Sequence, residues 1–288
     1  MAVYQREAPP LAEAATTDCL RQADVPPRAV THLILVSCTG FVAPGVDILL
    51  QRSLGLRPDL QRQTIGFMGC YAAFNGLRAA DAICSARPDA VVLLVCVELC
   101  TLHFQRALEP DAIVSNLLFS DGAAAALLTR TRPGPLALLR SASRLCPEET
   151  AAQMTWTIGD HGFQMTLAAA VPESLRRAIP SFVDDLLTPR HLTRADLSFW
   201  AVHPGGRRIV DVVREELAVP AERLAPSYEV LSAHGNMSSA TVLFVLQRWL
   251  ARDLPRGAVG VALAFGPGLT LEGALFERRT DADRKSVV

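Results

Sequence analysis

Short apolar runs, rich in Val, Leu and Ala, recur along the whole chain and alternate with segments of helical periodicity. These runs cover residues 32–38, 90–97, 123–129, 197–202, 258–264 and 269–276. Because apolar and polar residues do not alternate within them, they are typical of strands that are covered on both faces of a sheet. The helical segments between them would supply the covering layers. The pattern therefore predicts an α/β fold.

The predicted elements fall into two similar halves. In the first half, helices are predicted near residues 10–23, 45–54 and 70–86. In the second half, a helix opens at Pro172, since proline is well placed at the first helical position, and further helices follow at 207–219 and after Asn236. We therefore assign residues 1–135 to an N-terminal half and residues 136–288 to a C-terminal half.

Size and charge exclude several classes of protein. The 288 residues, half of them hydrophobic and 20% charged, are enough for a packed core, so intrinsic disorder is excluded. With 28 basic and 29 acidic residues, the net charge is −1. Nucleic-acid-binding proteins usually carry an excess of basic residues, so the composition argues against that class. The apolar runs are shorter than the ~20 residues of a membrane span, and the N-terminus shows no secretory signal. Seven cysteines, an odd number, favour a reducing, cytoplasmic location.

Cys70 is the first candidate for chemistry. It follows Gly66 and Gly69, so a turn of small residues leads into a helix with the thiol at its N-terminus. A helix N-terminus stabilises an anion by about 0.3–1 kcal/mol, and one pKa unit is about 1.36 kcal/mol, so the helix alone lowers a thiol pKa by less than about one unit. A reactive thiolate here therefore needs a cationic partner. Taken alone, Cys70 is more typical of a buried small residue.

His203 and Asn236 could complete a catalytic site with Cys70. His203 ends an apolar strand and precedes Pro-Gly-Gly, a position typical of ligand sites at the carboxyl edge of a parallel sheet. Asn236 precedes a helix, where it is also typical of an N-cap. Each has a structural explanation by itself, but a Cys nucleophile, a His base and an Asn donor together form a known catalytic set. Papain-like proteases use these types in the same order, but their Cys-Gly-Ser/Ala-Cys-Trp context is missing around Cys70.

Five strings, in order along the chain, resemble motifs of the type III polyketide synthases, the chalcone and stilbene synthase-like family. They are Gly-Cys-Tyr-Ala at 69–72, Leu-Phe-Ser-Asp-Gly-Ala-Ala at 118–124, Val-His-Pro-Gly-Gly at 202–206, Gly-Asn-Met-Ser-Ser-Ala at 235–240 and Phe-Gly-Pro-Gly-Leu-Thr at 265–270. The resemblance runs from residue 4 to residue 276. Two further strings, Val-Glu-Leu-Cys at 97–100 and Ser-Cys-Thr-Gly-Phe at 37–41, look most like bacterial alkylpyrone and alkylresorcinol synthases.

The resemblance implies a thiolase-like fold, in which two similar βαβ-type halves with mixed sheets are layered with helices as αβαβα. It also implies iterative decarboxylative condensation of malonyl-CoA onto an acyl-CoA starter, followed by cyclisation to an alkylpyrone or alkylresorcinol. Cys70 would carry the acyl chain, and His203 with Asn236 would activate it and promote decarboxylation. An imidazolium would supply the charge that the helix dipole lacks, and an Asn donor stabilises an enolate without repelling it.

The resemblance also assigns residues around the nucleophile. Phe119 matches a gatekeeper residue between the coenzyme A tunnel and the cavity, although its position is equally consistent with an aromatic residue of the core. Met165 matches a second gatekeeper residue. Besides these two, the substrate cavity would be lined by Trp156, Cys100, His103, Cys38 and Thr39. The coenzyme A tunnel would be lined by Gly205, Gly206, Arg208 and Ser238. We expect no metal, because Cys96, Cys100 and His103 offer only three ligands inside an apolar run.

One departure from the family concerns the N-terminus. Family members usually begin well before the segment that matches Tyr4 and carry basic residues there that bind coenzyme A phosphates. The only lysine in this chain is Lys285, so phosphate binding would fall to Arg207 or Arg208. We therefore expect an N-terminally shortened member of the family. Two alternatives stay open, a ketoacyl-carrier-protein synthase of the same superfamily and an inactive remnant that binds a partner.

The resemblance also implies a partner and the substrates. An active enzyme is expected to be a homodimer, in which the loop at residues 42–45 reaches into the partner's cavity. It is expected to act on acyl-CoA and malonyl-CoA and to need no cofactor beyond these coenzyme A thioesters.

Overall fold

The computed structural model describes residues 1–106, 108–160 and 162–279. The apolar runs form strands of two mixed sheets. The first half contains α1 (Ala2–Ala23), β1 (His32–Ser37), α2 (Val46–Ser53), β2 (Gln61–Gly66), α3 (Ala72–Ala86), β3 (Val91–Leu99), α4 (Pro110–Leu118) and β4 (Asp121–Thr129). The second half contains β5 (Leu136–Leu145), β6 (Met154–Gly159), β7 (Gly162–Leu167), α5 (Val171–Leu187), β8 (Leu197–Val202), α6 (Arg207–Glu216), α7 (Ala225–His234), α8 (Thr241–Leu250), β9 (Val259–Gly266) and β10 (Thr270–Arg278).

Both sheets follow one strand plan. In the first sheet, of order β2-β1-β3-β4, β1 and β3 are parallel neighbours and β4 is antiparallel to β3. In the second sheet, of order β5-β10-β9-β8, β8 and β9 are parallel neighbours and β10 is antiparallel to β9. β5 pairs with the outer edge of β10, whereas no strand within the described residues pairs with the outer edge of β4. The two halves are therefore versions of one unit.

Helices cover the two sheets in layers. α3 and α8 lie between the sheets, where Phe74 and Leu246 share one core with Ile34 of β1 and Ala262 of β9. The opposite face of the first sheet packs on α1 and α2, and that of the second sheet packs on α5 and α6. Burial of each large apolar side chain contributes about 1.5–3 kcal/mol. These three cores fix the positions of the strand ends that carry the site.

The first helix begins earlier than the sequence predicts. The predicted start lies near residue 10, because prolines inside a helix lack an amide donor, but α1 begins at Ala2 and contains both Pro9 and Pro10. Tertiary contacts explain the difference. Tyr4 is buried, and its hydroxyl donates to Ser37 Oγ at 2.7 Å. This packing stabilises a first turn that local propensity disfavours.

Several elements are not predicted by the sequence. β2 is a polar, largely exposed edge strand, β5 mixes apolar and polar residues, and α7, which contains Pro226, lies in a segment for which no helix is predicted. α4 and the hairpin of β6 and β7 are further additions. β2 matters for the site, because it leads into the turn that carries Cys70. None of the helices that the structure describes is long and apolar enough to cross a bilayer.

Candidate active site

A tight turn between β2 and α3 places Cys70 between the two halves. Gly69 adopts φ +84°, in the left-handed region that favours glycine. A Cβ at this position would lie 2.5 Å from Cδ of Pro267, which follows β9 in the second half. The turn is therefore packed against the other half without room for a larger residue. Cys70 itself is buried, one residue before the N-cap of α3.

The Cys70 thiol is protonated at neutral pH in this structure. Burial raises its pKa to about 11, and hydrogen bonds from the side chains of Ser238 and Asn236 oppose that effect only in part. The position at a helix N-terminus does not compensate, since its contribution is below about 1 kcal/mol. As the sequence predicts, a reactive thiolate at Cys70 therefore needs a further activating group in the folded protein.

Asn236 presents its amide to the sulfur. Both terminal atoms of the amide lie 4.0 Å from Cys70 Sγ. Its Oδ1 accepts a hydrogen bond from the Ser238 backbone N–H at 2.9 Å, so Nδ2 is the group left to donate. Asn236 is 1% exposed. The side chain is thus a fixed, buried donor next to the Cys70 thiol, an arrangement that can stabilise developing negative charge.

His203 lies at the carboxyl end of β8, where its backbone N–H donates to Leu263 O at 2.8 Å. It is 1% exposed, and within the described residues neither ring nitrogen has a hydrogen-bond partner. Burial lowers its pKa to about 3, so the ring is neutral. This differs from the expected imidazolium beside Cys70, because nothing in this structure offsets the cost of burying its charge. A neutral His203 keeps a free lone pair on one ring nitrogen and can therefore accept a proton.

Glu98 is a polar residue of the site whose role the sequence does not predict. It is fully buried at the end of β3 and accepts hydrogen bonds from Cys38 N–H and Thr39 Oγ1, both at 2.9 Å. Ser239 Oγ donates to the other oxygen at 2.5 Å. Burial raises the pKa of Glu98 to about 7, although these hydrogen bonds favour the charged form. A lone acid inside an apolar run was the available signal.

Cys70 opens into a cavity of about 250 Å³. All seven residues predicted for the substrate cavity line it together with Cys70, namely Cys38, Thr39, Cys100, His103, Phe119, Trp156 and Met165. Ser238, predicted for the coenzyme A tunnel, also lines this cavity. The other three predicted tunnel residues do not line it. Gly205 and Gly206 lie before α6, and Arg208 donates to Glu215 at 3.0 Å on the surface.

We define the aromatic wall as His103, Trp156 and Phe163, of which His103 and Trp156 line one side of the cavity and Phe163 stacks on His103. Trp156 Nε1 donates to Cys38 O at 2.7 Å. His103 Nδ1 accepts from Phe163 N–H at 3.0 Å, so its Nε2 carries the proton and donates to Thr39 O at 2.6 Å. The His103 ring stacks on Phe163 at 4.1 Å between ring centroids, and burial lowers the pKa of His103. The wall is thus fixed by hydrogen bonds at both its polar rings.

Within residues 1–106, 108–160 and 162–279, no group of three or more His, Cys, Asp or Glu side chains is arranged to hold a metal ion. The cavity lining is mainly apolar, and its thiols are free.

Comparison with known proteins identifies the family. Residues 1–131 match the family described as "Chalcone and stilbene synthases, N-terminal domain", and residues 138–279 match the corresponding C-terminal domain. The chain is 34% identical over 287 residues to "Alpha-pyrone synthesis polyketide synthase-like Pks18" of Mycobacterium tuberculosis, a match that covers 96% of this chain and 72% of the relative.

Solved structures agree. The PKS-I structure from the brown alga Ectocarpus siliculosus has a TM-score of 0.90 at 34% identity and covers 96% of this chain and 76% of that one. The bacterial type III polyketide synthase 1,3,6,8-tetrahydroxynaphthalene synthase, from Streptomyces coelicolor A3(2), has a TM-score of 0.92 at 31% identity and covers 97% and 80%. The predicted family and the thiolase-like α/β fold are confirmed. The chain belongs to the chalcone and stilbene synthase family and is a type III polyketide synthase.

Proposed function

We propose that this protein condenses malonyl-CoA decarboxylatively onto a short acyl-CoA starter and releases an alkylpyrone. The observation that carries the proposal is a single thiol, Cys70, held next to one buried amide donor, Asn236, at a partly open, mainly apolar cavity. The name of the Mycobacterium tuberculosis relative, which refers to alpha-pyrone synthesis, supports the pyrone over the resorcinol.

The loading step uses Cys70 and His203. The Cys70 sulfur attacks the thioester carbonyl of the starter, a new carbon–sulfur bond forms, and coenzyme A leaves as its thiol. The pKa of Cys70 is about 11 and that of His203 about 3, so no thiolate–imidazolium pair exists beforehand. The proton therefore leaves sulfur while the bond to carbon forms, with His203 as the base that passes it to the leaving group.

The extension step uses Asn236. Loss of CO₂ from malonyl-CoA leaves an enolate, whose oxygen accepts a hydrogen bond from Asn236 Nδ2. The enolate carbon attacks the acyl carbonyl, the carbon–sulfur bond to Cys70 breaks, and the extended chain remains on coenzyme A. The Cys70 thiolate takes the chain back by attacking its thioester carbonyl, and coenzyme A leaves and takes a proton from water, so that the next malonyl unit can be added. After two extensions, an enol oxygen of the chain attacks the terminal thioester carbonyl, which closes the pyrone ring and releases coenzyme A. Decarboxylation supplies the carbanion, so we propose that no cofactor beyond the thioesters takes part.

The size of the cavity supports a short starter. Sites for small molecules usually measure about 300–1,000 Å³, and this cavity of about 250 Å³ lies just below that range. The aromatic wall limits the cavity on one side, where Trp156 is held by its hydrogen bond to the Cys38 carbonyl. We propose that Arg207 and Arg208, exposed at the start of α6, meet the phosphates of coenzyme A outside the cavity.

The exposed edge of β2 and the half-exposed Phe41 support a homodimer. Phe41 lies beside the loop at residues 42–45, and its ring packs 5.6 Å from that of Phe67, which follows β2. An edge strand next to exposed aromatic surface is a typical site for association between copies.

Product analysis tests the proposed function. The purified protein is incubated with malonyl-CoA and either butyryl-CoA or palmitoyl-CoA, and products are identified by liquid chromatography and mass spectrometry. We expect an alkylpyrone with the butyryl starter and at least about tenfold less product with the palmitoyl starter, a discrimination of about 1.4 kcal/mol. A resorcinol product contradicts the proposed ring type. Equal use of both starters contradicts the proposed starter length, and no product contradicts the activity.

A further inference from the structure

Two segments of the chain lie side by side next to the nucleophile. We define the clamp as residues 118–120, at the end of α4, together with residues 234–236, at the end of α7. Asn236 N–H donates to Leu118 O, and Ser120 N–H donates to Asn236 O, both at 2.9 Å. The two bonds form an isolated parallel bridge between Phe119 and Asn236. The backbone of Asn236 is therefore held on both its donor and its acceptor side.

Ser120 adds a third bond to the clamp through its side chain. Its Oγ donates to His234 O at 2.5 Å, and His234 is the last residue of α7. The last carbonyls of a helix have no partner within the helix, so this hydroxyl caps α7. Gly235 follows with φ +72°, and a Cβ there would lie 2.9 Å from Ser120 Oγ. The path of the chain from α7 to Asn236 is thus set by contact with Ser120.

This path decides where the Asn236 amide points. The clamp holds its backbone, and the Ser238 N–H holds its Oδ1, so Nδ2 is left to face Cys70 Sγ at 4.0 Å. A misplacement of about 1 Å at a reacting centre can lower a rate by about a hundredfold. A residue that fixes the backbone of Asn236 therefore has a route to the chemistry without touching the substrate.

We propose that Ser120 is a positioning residue for decarboxylation. Its hydroxyl, through the carbonyl of His234, holds Asn236 where the amide meets the enolate oxygen. The inference rests on the proposed function, in which Asn236 acts on the extension step and contributes little to loading of the starter.

The first test is Ser120→Ala, with three measurements. Malonyl-CoA decarboxylation should slow by about 3- to 10-fold, the range expected for loss of one neutral hydrogen bond. Loading of the starter on Cys70 should change little, because it does not depend on the direction in which the amide points. The melting temperature should fall by only a few degrees, as expected for the loss of one hydrogen bond. Ser120→Thr, which keeps the hydroxyl, should restore decarboxylation to within about twofold. Equal losses in decarboxylation and loading, or no rescue by threonine, would overturn the positioning role.

The second test combines Ser120→Ala with Asn236→Ala. If Ser120 acts through Asn236, the double variant decarboxylates malonyl-CoA at the same rate as Asn236→Ala alone, because coupled residues are not additive. A further loss in the double variant contradicts the inference. Thr188→Ala is the matched control, since Thr188 Oγ1 makes the same kind of bond to Asp184 O at the end of α5, on the surface. It should leave decarboxylation unchanged. Absence of decarboxylation in the unaltered protein contradicts the proposed function itself, whereas an active protein that is insensitive to Ser120→Ala contradicts only this inference.

Discussion

At the residue scale, burial keeps both members of the proposed proton-transfer pair neutral. It raises the pKa of Cys70 to about 11 and lowers that of His203 to about 3. The stable state without substrate is therefore a thiol and an uncharged imidazole. An uncharged site accepts an acyl chain without the cost of stripping water from a thiolate. In the proposed reaction, the charge that appears later, on the enolate, is stabilised by the amide of Asn236.

Asn236→Ala should separate the two half-reactions. We expect malonyl-CoA decarboxylation to fall by about 10²- to 10³-fold, as for loss of one donor to a developing oxyanion. Starter loading should fall much less, because the thiol is deprotonated toward His203. His203→Ala should slow both steps. Rapid-quench measurement of acyl-enzyme and of CO₂ checks this, and equal losses in both steps for Asn236→Ala would disprove the division of roles.

Glu98 should make stability depend on pH in a defined direction. Its pKa is raised from 4.5 to about 7 in the folded protein. Between pH 4.5 and about 7, Glu98 is protonated in the folded state but ionised in the unfolded state. The stabilisation that protonated Glu98 gives to the folded state is therefore fully present below pH 4.5 and is lost as pH rises through about 7. The free energy of unfolding should fall by at most about 1.4 kcal/mol per pH unit because of this group.

Urea unfolding of the original protein and of Glu98→Gln, at several pH values across this range, measures the effect. The free energy of unfolding of Glu98→Gln should fall less steeply from acid to neutral pH. Parallel curves for the two proteins would mean that Glu98 does not hold the extra proton.

At the scale of elements, the hairpin of β6 and β7 lines one side of the cavity. It contributes Trp156 and Phe163 to the aromatic wall, and His103 joins it to the segment after β3. Ring centroids of Trp156 and His103 lie 5.4 Å apart, edge to face. The wall therefore joins two elements, and its removal should enlarge the cavity more than it disturbs either sheet.

Trp156→Ala should shift substrate choice toward longer starters. Loss of the indole opens the space behind the wall, so turnover of decanoyl-CoA relative to butyryl-CoA should rise by about tenfold or more, the effect of about 1.4 kcal/mol in relative binding. Ile158→Ala, a change at an exposed residue on the same strand, is the control and should leave the ratio unchanged. If the ratio of decanoyl-CoA to butyryl-CoA turnover is unchanged in Trp156→Ala, Trp156 does not limit the length of the starter.

The sequence predicts the buried strands well and the irregular elements poorly. β3 follows from an unbroken apolar run, whereas β2, Gln-Arg-Gln-Thr-Ile-Gly, is stabilised by pairing with β1 and carries no apolar pattern. In the site, local cues single out Cys70, which follows a glycine turn. Local cues do not reveal the role of Glu98, because its hydrogen-bond partners Cys38 and Ser239 lie 60 and 141 residues away along the chain. Contacts over such separations depend on the assembled fold, and a single chain does not reveal them.

At the scale of the whole molecule, the site depends on the joining of two halves. The Cys70 turn belongs to the first half and packs on Pro267 of the second. Arg78 on α3 makes a bidentate ion pair with the buried Glu272 on β10, at 2.9 Å for both bonds. Each half alone lacks either the nucleophile or the amide. Both halves are therefore needed to bring Cys70 and Asn236 together in one site.

Association of two copies is the prediction at this scale. Light scattering during size exclusion should give about twice the chain mass of 31.0 kDa. Phe41→Asp, which puts a charge beside β2, should shift the protein toward the monomer, because a charge opposes burial of that edge. Leu145→Asp, at an exposed apolar residue of the other sheet, should not. A stable monomer in the unaltered protein would contradict the homodimer.

The most direct measurement of the central claim is the intact mass of the protein after brief incubation with butyryl-CoA. The account predicts one added acyl group, located on Cys70 by peptide mapping and lost in Cys70→Ala. Cys84→Ala and Cys146→Ala should load normally, since both thiols lie outside the cavity lining. Acyl groups that persist in Cys70→Ala, or an unaltered protein that gains no mass, would contradict the claim that Cys70 carries the growing chain.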